Sequence, residues 1–257
     1  MQTIKEKSNN FSIGERGGEI IDYAVRMRKL DRNLQMDSLL LNNKVTQADI
    51  FNLAETIAAF HKNTNIIYQK DFLDVQKMFN DLDEEKNYLR DHLNTDSARI
   101  ITYAVDTSNK FIQANKDLLA NRLTTGFFRD CHGDLHSGNI FLLPSPQPFD
   151  CIEFNDDYRQ TDVLNEVAFL CMDLDAFGRQ DLSDLFLKHY NELFPSMITK
   201  EDYKLFVFYK SYRSNIRAKV NSLRARSSKE GSERKLVLAE ADKYLRLMNS
   251  YIKELNK

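Results

Sequence analysis

The sequence predicts an α+β fold that is mostly helical, with small β-elements at the N-terminus and in the middle of the chain. Apolar residues recur at helical spacing through most of residues 46–122 and 162–256. Between residues 127 and 154, short apolar runs flank a polar loop that contains two glycines, and these runs predict strands. A chain of 257 residues with 42% hydrophobic side chains can form one large domain or two small ones.

The first predicted element is a β-hairpin within residues 10–30. Its strands would run over residues 10–13 and 19–27, and a turn rich in glycine would join them. Gly14, Gly17 and Gly18 fit this turn better than a phosphate-binding loop, because neither a helical pattern nor a Lys-Ser/Thr pair follows them.

Helices are predicted before the central stretch. Thr46 and Asp49 form a capping-box pattern at the start of a helical repeat of apolar residues. His61 lies on or beside the apolar face of this helix, where a hydrogen-bonded core histidine is more common than a ligand. Helical spacing continues over residues 71–122, and the acidic run at residues 81–86 is predicted to be a solvated face.

Residues 127–154 form the most informative stretch, with the predicted order strand, polar loop, strand, turn, strand. The loop at residues 131–139 has the sequence CHGDLHSGN. His132, Asp134 and Asn139 have the spacing His-x-Asp-x-x-x-x-Asn, which is the spacing of a protein-kinase catalytic loop.

Phosphoryl transfer would explain these residue types. It needs a carboxylate aimed at the acceptor hydroxyl and oxygen ligands that hold Mg²⁺ against the phosphates. Asp134 would be the base and Asn139 a metal ligand, with a second carboxylate from a nearby strand end. Glu153 and Asp150 are the candidates, and on a strand they would point to opposite faces, so they are not both expected to bind one metal directly.

The last part of the chain is predicted to be helical at residues 162–177, 181–194, 200–226 and 233–256. Asp162 and Glu166 lie one turn apart at the start of the first of these helices, where acids also favour the helix dipole. Tyr209, Arg213 and Arg217 fall four apart in the third helix and could present guanidinium groups to a phosphate or carboxylate. A surface helix with ordinary charges explains them equally well.

Composition restricts the class of protein. A net charge of -2 gives no basic field, so nucleic-acid binding is not expected. The three cysteines lack Cys-x-x-Cys spacing and are expected to be buried free thiols, and a zinc site at Cys131, His132 and His136 would lack a helical frame. No apolar run approaches the roughly 18 residues of a membrane span, and we expect a cytoplasmic protein without a membrane partner.

The segment HGDLHSGNI at residues 132–140 resembles the Brenner-type motif of aminoglycoside phosphotransferases and choline kinases, which share the protein-kinase-like fold. FDCIEFND at residues 149–156 and DVLNEVAFL at residues 162–170 are more similar to one bacterial group of aminoglycoside-phosphotransferase-like proteins, often fused to a P-loop ATPase domain. The resemblance covers about residues 20–226.

The resemblance implies a kinase that transfers phosphate from ATP to a hydroxyl of a small molecule, with Mg²⁺ as cofactor. A P-loop ATPase domain or protein becomes a candidate partner. Asp134 would be catalytic and His132 would fix the loop. The family's metal-binding aspartate lies in an Ile-Asp-Phe context that aligns with Glu153, so Glu153 is favoured over Asp150 as the second ligand beside Asn139.

The resemblance implies further roles. Asp162 and Glu166 would brace the catalytic loop by accepting its backbone N–H groups. Nucleotide contacts would come from Met27, Arg28 and Leu30, and contacts to phosphate or substrate from His136, Ser137, Tyr209, Arg213 and Arg217.

The N-terminal part departs from this family. A kinase-like fold carries a glycine-rich loop and a strand-borne lysine before the hinge. Here only about twenty residues precede the predicted hinge, which leaves no room for these elements. The predicted organisation is therefore a truncated N-lobe at residues 1–30 and a mostly helical C-lobe at residues 31–257. An inactive or truncated kinase-like module with a binding or regulatory role is the alternative function.

Overall fold

Helices dominate the structure, and small antiparallel sheets complete an α+β fold. The computed structural model describes residues 1–8, 10–14, 17–27, 29–229 and 231–256. The chain divides into two units, Met1–Arg32 and Asn33–Lys257. The described helices do not include one that combines the length and hydropathy needed to cross a bilayer.

The N-terminal unit is a three-stranded antiparallel sheet in the order β2-β1-β3. Its strands are β1 (Gln2–Lys7), β2 (Asn10–Ile13) and β3 (Glu19–Ala24). The hairpin prediction was wrong in its pairing, because β2 and β3 each pair with β1 and not with each other. Gly18 lies against β1 at φ +89, where a Cβ atom would come within 2.7 Å of the Glu6 carbonyl oxygen.

The C-terminal unit contains eleven described helices and two short strand pairs. The helices are α1 (Met36–Leu41), α2 (Gln47–Asn63), α3 (Asp74–Asn80), α4 (Lys86–His92), α5 (Thr95–Ala114), α6 (Lys116–Thr124), α7 (Asp156–Arg159), α8 (Val163–Ala176), α9 (Gln180–Leu193), α10 (Lys200–Ser227) and α11 (Ser232–Leu255). The strand pairs are β4 (Phe128–Asp130) with β7 (Gln160–Asp162), and β5 (Ile140–Phe141) with β6 (Gln147–Pro148).

Helix α2 confirms two predictions. The Thr46 hydroxyl accepts the Asp49 N–H at 3.2 Å, and the Asp49 carboxylate accepts the Thr46 N–H at 2.8 Å, which completes a capping box. His61 is fully buried and hydrogen-bonded to Glu166 and Tyr190, as expected for a core histidine.

Helix α8 is the central helix of the C-terminal unit. It packs against α9, α10 and α11, and every residue from Val163 to Leu174 is buried. A helix surrounded in this way is apolar on nearly all sides rather than on one stripe. Buried charges on such a helix need partners, because an unpaired buried charge is costly, and these partners lie in the candidate site.

The acidic run at residues 81–86 was predicted to be a solvated face, but part of it is buried. Glu85 is 3% exposed, and its carboxylate accepts from the Ser222 hydroxyl at 2.6 Å and from Arg226 at 2.7 Å. This carboxylate is buried because α10, with its cationic residues, packs against the segment, a contact that local charge density does not reveal.

Candidate active site

The central loop, residues 131–139, connects β4 to β5. Residues 131–136 form neither helix nor strand, and a 3-10 turn, Ser137–Asn139, ends the loop. Gly133 has φ +85, and a Cβ atom there would lie 3.1 Å from Ile152 Cδ1 and 3.2 Å from Arg159 Cα. The loop therefore requires glycine both for its left-handed backbone and for space.

Two buried acids of α8 hold the central loop. Glu166 accepts the Gly133 N–H at 2.6 Å, and Asp173 accepts both the N–H of Ser137, at 2.8 Å, and its hydroxyl. The two acids are seven residues apart, so they share one face of the helix about two turns apart. This spacing lets one rigid helix fix the loop at two points, Gly133 and Ser137.

Glu166 is linked in turn to the core. Its second oxygen lies 2.7 Å from His61 Nε2, and the Tyr190 hydroxyl lies 2.7 Å from His61 Nδ1. Burial acts to raise the pKa of Glu166, but His61, His132 and the Gly133 N–H together lower it below its usual value. The carboxylate that anchors the loop is therefore ionised at neutral pH.

His132 has both ring nitrogens engaged. Nε2 donates to the Phe149 carbonyl at 2.9 Å, and Nδ1 accepts the Asp134 N–H at 3.3 Å. These bonds select the tautomer with the proton on Nε2. His132 thus fastens the loop to the segment after β6 and orients the backbone of Asp134.

Asp134 is partly exposed and is aimed by two neighbours. Asn139 Nδ2 donates to its Oδ2 at 2.9 Å and to its carbonyl at 3.1 Å. His136 Nδ1 accepts the Gly138 N–H, which leaves Nε2–H facing Asp134 Oδ2 at 3.5 Å. Burial acts to raise the pKa of Asp134, but His136 and the positive charges of Arg213 and Arg217 lower it.

The segment with the two candidate metal carboxylates was predicted to be a strand. In the structure it is irregular chain after β6. Asp150 has φ +62, and a left-handed residue breaks the alternation on which the opposite-face argument depended. Hydrogen bonds from Phe149 N to Asn139 O and from Ile152 N to His132 O tie this segment to the central loop. Asp150 and Glu153 are both exposed.

The bracing role predicted for Asp162 needs correction. Arg122 donates to both carboxylate oxygens of Asp162, at 2.6 and 2.9 Å, and Asp162 also caps α8 through the Leu164 N–H. Arg122 is 2% exposed and further binds Asp202. The carboxylate of Asp162 is occupied by this buried pair, and Asp173 is the second acid that accepts a loop N–H.

Residues on α10 predicted to contact substrate lie at different depths. Arg213 is buried and donates to the Gly133 carbonyl at 3.1 Å and to Asn165 at 2.7 Å. Arg217 is half-buried with its guanidinium carbon 5.3 Å from the Tyr244 ring centre. Tyr209 is 2% exposed. Burial raises the pKa of Tyr209, and the nearby Asp162 raises it further. Arg213 therefore supports the loop directly.

The remaining predicted contacts divide between the two units. The Ser137 hydroxyl is buried and donates to Asp173, whereas His136 faces Asp134. Met27 is exposed and Leu30 is half-buried in the N-terminal unit. Arg28 lies outside the described residues, so the predicted nucleotide contacts stay predictions.

A cavity of about 260 Å³, called here the α10 cavity, opens beside the central loop. Gly133 and Asp134 line it, together with one face of α10. The opposite wall comes from α3 and the residues before it. The cavity provides space for a small molecule next to the Asp134 carboxylate.

Sequence reasoning missed three residues that shape this site: Arg122, Asn165 and Asp173. Asp173 had a signal, because an acid two turns after Glu166 in an apolar helix must find a buried partner. Arg122 and Asn165 had none, since their partners lie 40 or more residues away.

One cluster has the residue types of a metal site. His61, Cys131 and Glu166 place ligand atoms within 4.8 Å of one another, and all three are buried. The Cys131 thiol donates to the Thr161 carbonyl, and burial and then the nearby Glu166 raise its pKa well above the usual value. His61 and Glu166 are hydrogen-bonded to each other and the Cys131 thiol to the Thr161 carbonyl, so all three side chains have partners within the protein.

The chain is similar to three mycobacterial proteins: uncharacterized protein Rv2004c of Mycobacterium tuberculosis H37Rv, uncharacterized protein MT2060 of M. tuberculosis CDC 1551 and uncharacterized protein Mb2027c of Mycobacterium bovis. Each is 29% identical over 222 residues, which is 82% of this chain and 43% of the relative. The chain therefore spans less than half the length of these curated relatives. No family model and no solved structure matches it.

Proposed function

We propose that the C-terminal unit is a kinase-like phosphotransferase domain that moves the γ-phosphoryl group of ATP to a hydroxyl of a small molecule. The observation that carries the proposal is the Asp134 carboxylate, which is aimed by Asn139 and His136 and lines the α10 cavity. A positioned carboxylate beside a substrate-sized cavity is what phosphoryl transfer to a hydroxyl needs from a protein.

The donor set near the loop fits Mg²⁺. Asn139 uses its amide nitrogen on Asp134, which turns its amide oxygen toward other ligands. Glu153, or Asp150 as second choice, would add a carboxylate, and Mg²⁺ prefers such oxygen ligands. A bound Mg²⁺ would neutralise phosphate charge.

The chain's own residues account for the proton. Asp134 accepts the proton of the hydroxyl while the acceptor oxygen forms a bond to the γ-phosphorus and the bond to the leaving oxygen of ADP breaks. Glu166, Asp173 and Arg213 keep the loop rigid, because each binds a loop backbone group. Rigid placement of this kind supplies much of the catalysis in phosphoryl transfer.

Calorimetry of ATP binding with and without Mg²⁺ tests the proposal. We expect Mg²⁺-dependent binding that Glu153→Gln weakens and that Asp150→Asn leaves nearly unchanged. The reverse order would make Asp150 the ligand. Absence of binding at millimolar ATP would refute the phosphotransferase proposal.

A binding module without catalysis is the second candidate. The N-terminal unit favours it, since its described strands β1, β2 and β3 do not lead into an α-helix within Met1–Arg32 whose N-terminus could hold phosphates. The predicted P-loop ATPase partner also stays a proposal, and the greater length of the mycobacterial relatives leaves room for a further domain in them.

A further inference from the structure

The walls of the α10 cavity are mostly apolar. On α10, Tyr212, Ile216 and Val220 are spaced four apart and therefore form one stripe along the helix. Met78 faces them from α3, and Phe169 of α8 lies at the end near the loop. A sugar would need a polar partner for each of its hydroxyl groups, whereas most of the wall surface is apolar.

The charges around the α10 cavity are mainly negative. Five carboxylates and three cationic side chains line it: Asp71, Asp74, Asp81, Asp134, Asp157, Lys70, Arg213 and Lys219. Two of the cations are paired with acids, Lys70 with Asp157 and Lys219 with Asp81. The net negative charge would repel an anionic acceptor.

One pKa supports the electrostatic reasoning. Burial first, and then the negative charges of Asp71 and Asp157, raise the pKa of Asp74 above its usual value. The surroundings of Asp74, which lines the cavity, therefore already oppose added negative charge.

The volume restricts the acceptor further. A cavity of about 260 Å³ lies just below the roughly 300–1,000 Å³ of typical ligand pockets, which favours a small acceptor.

We propose that the α10 cavity binds an alcohol that carries no negative charge and has a compact apolar body, an aromatic or branched aliphatic one, and presents its hydroxyl to Asp134. The inference rests on the proposed function and names its acceptor class. The hydroxyl oxygen would form the new bond to the γ-phosphorus of ATP, ADP would leave as the old bond breaks, and Asp134 would take the hydroxyl proton.

The test compares three hydroxyl compounds as probes on the full chain: 2-phenylethanol, 3-phenyllactate and glucose. Ligand-detected NMR measures the binding of each probe, and calorimetry separately measures the binding of Mg²⁺-ATP. We expect 2-phenylethanol to bind most tightly. Tighter binding of glucose or 3-phenyllactate, or no binding of 2-phenylethanol, would overturn the inference.

Two variants locate the binding. Val220 is 44% exposed and Leu223 is 46% exposed, so Val220→Trp and Leu223→Trp narrow the cavity at positions that tolerate bulk. We expect each to weaken 2-phenylethanol binding about tenfold or more, as crowding a filled site does. Leu236→Trp on α11, at a 70% exposed position, is the matched control and should leave binding unchanged. Unchanged binding in both cavity variants would place the probe elsewhere.

The two proposals fail in different ways. Mg²⁺-ATP binding without selective binding of 2-phenylethanol would overturn the acceptor class and leave the phosphotransferase proposal standing. Selective 2-phenylethanol binding without ATP binding would refute the phosphotransferase proposal and support a module that binds small apolar alcohols.

Discussion

The Glu166→Gln substitution tests how strongly α8 holds the central loop. Glu166 accepts the Gly133 N–H at 2.6 Å and lies 2.7 Å from His61 Nε2. Hydrogen bonds to charged groups contribute about 1.5–3 kcal/mol, against about 0.5–1.5 kcal/mol for neutral ones. Neutralising the carboxylate weakens two such bonds, and the new amide N–H₂ would face the His61 N–H.

We therefore expect Glu166→Gln to lower the free energy of unfolding by about 3 kcal/mol at pH 7, from two weakened bonds and one unpaired donor. Urea unfolding, monitored by circular dichroism, measures this loss of stability as a shift of the transition midpoint. A loss below about 1 kcal/mol would contradict the anchoring role of Glu166, because two weakened bonds and one unpaired donor together exceed that value.

The difference in unfolding free energy between the native protein and Glu166→Gln should depend on pH, because the pKa of Glu166 is lowered in the folded protein. A carboxylate whose pKa is lowered in the folded state stabilises the fold at pH values above its unfolded-state pKa, here 4.5. This stabilisation is lost as the pH falls through the folded-state pKa. The gap in stability between the native protein and Glu166→Gln should therefore shrink below pH 4.5. A gap that stays constant would contradict the shift.

Glu85→Gln is the matched control for both measurements. Glu85 is as deeply buried and binds Ser222 and Arg226, yet it does not contact the central loop. We expect this variant to lose stability but to keep ATP turnover, whereas Glu166→Gln should lower both. Equal losses of turnover would show that the effect comes from general destabilisation.

Two further substitutions test the loop and its support by urea unfolding. Gly133→Ala should lower the free energy of unfolding more than Gly178→Ala does, by about 1–3 kcal/mol. Both residues have positive φ, but a Cβ atom at residue 133 would meet Ile152, whereas nothing described lies within 4 Å of a Cβ atom at residue 178. Equal costs would contradict the tight packing of the loop. Arg122→Met should lower stability by about 3–5 kcal/mol, because it leaves the Asp162 charge buried and unpaired. Adding Asp162→Asn should recover part of that loss, and a lack of recovery would mean that the pair is not the cause.

The features that depend on nearby residues were predictable from the sequence. The capping box of α2 depends on Thr46 and Asp49, three residues apart, and the buried His61 follows from the apolar face of its helix. The spacing of His132, Asp134 and Asn139 within one short loop predicted that these residues act together, and hydrogen bonds connect them.

Features set by tertiary packing were not predictable. Strand β1 contains a single strongly apolar residue, Ile4, so its alternation gave a weak signal, and without it the hairpin pairing was wrong. The segment after β6 has strand-like composition, but the left-handed backbone at Asp150 breaks it. Asp162 was assigned to the loop because the sequence cannot show that Arg122, forty residues earlier, occupies it.

ADP formation by the native protein and by Asp134→Asn, at equal ATP occupancy, tests the central claim most directly. Calorimetry sets the ATP concentration, and ³¹P NMR follows ADP with 2-phenylethanol and with water as acceptors. The account predicts that Asp134→Asn binds Mg²⁺-ATP normally and forms ADP about 10²–10⁴-fold more slowly, the range for loss of a general base. Equal rates in the two proteins would contradict the assignment of Asp134 as the catalytic base.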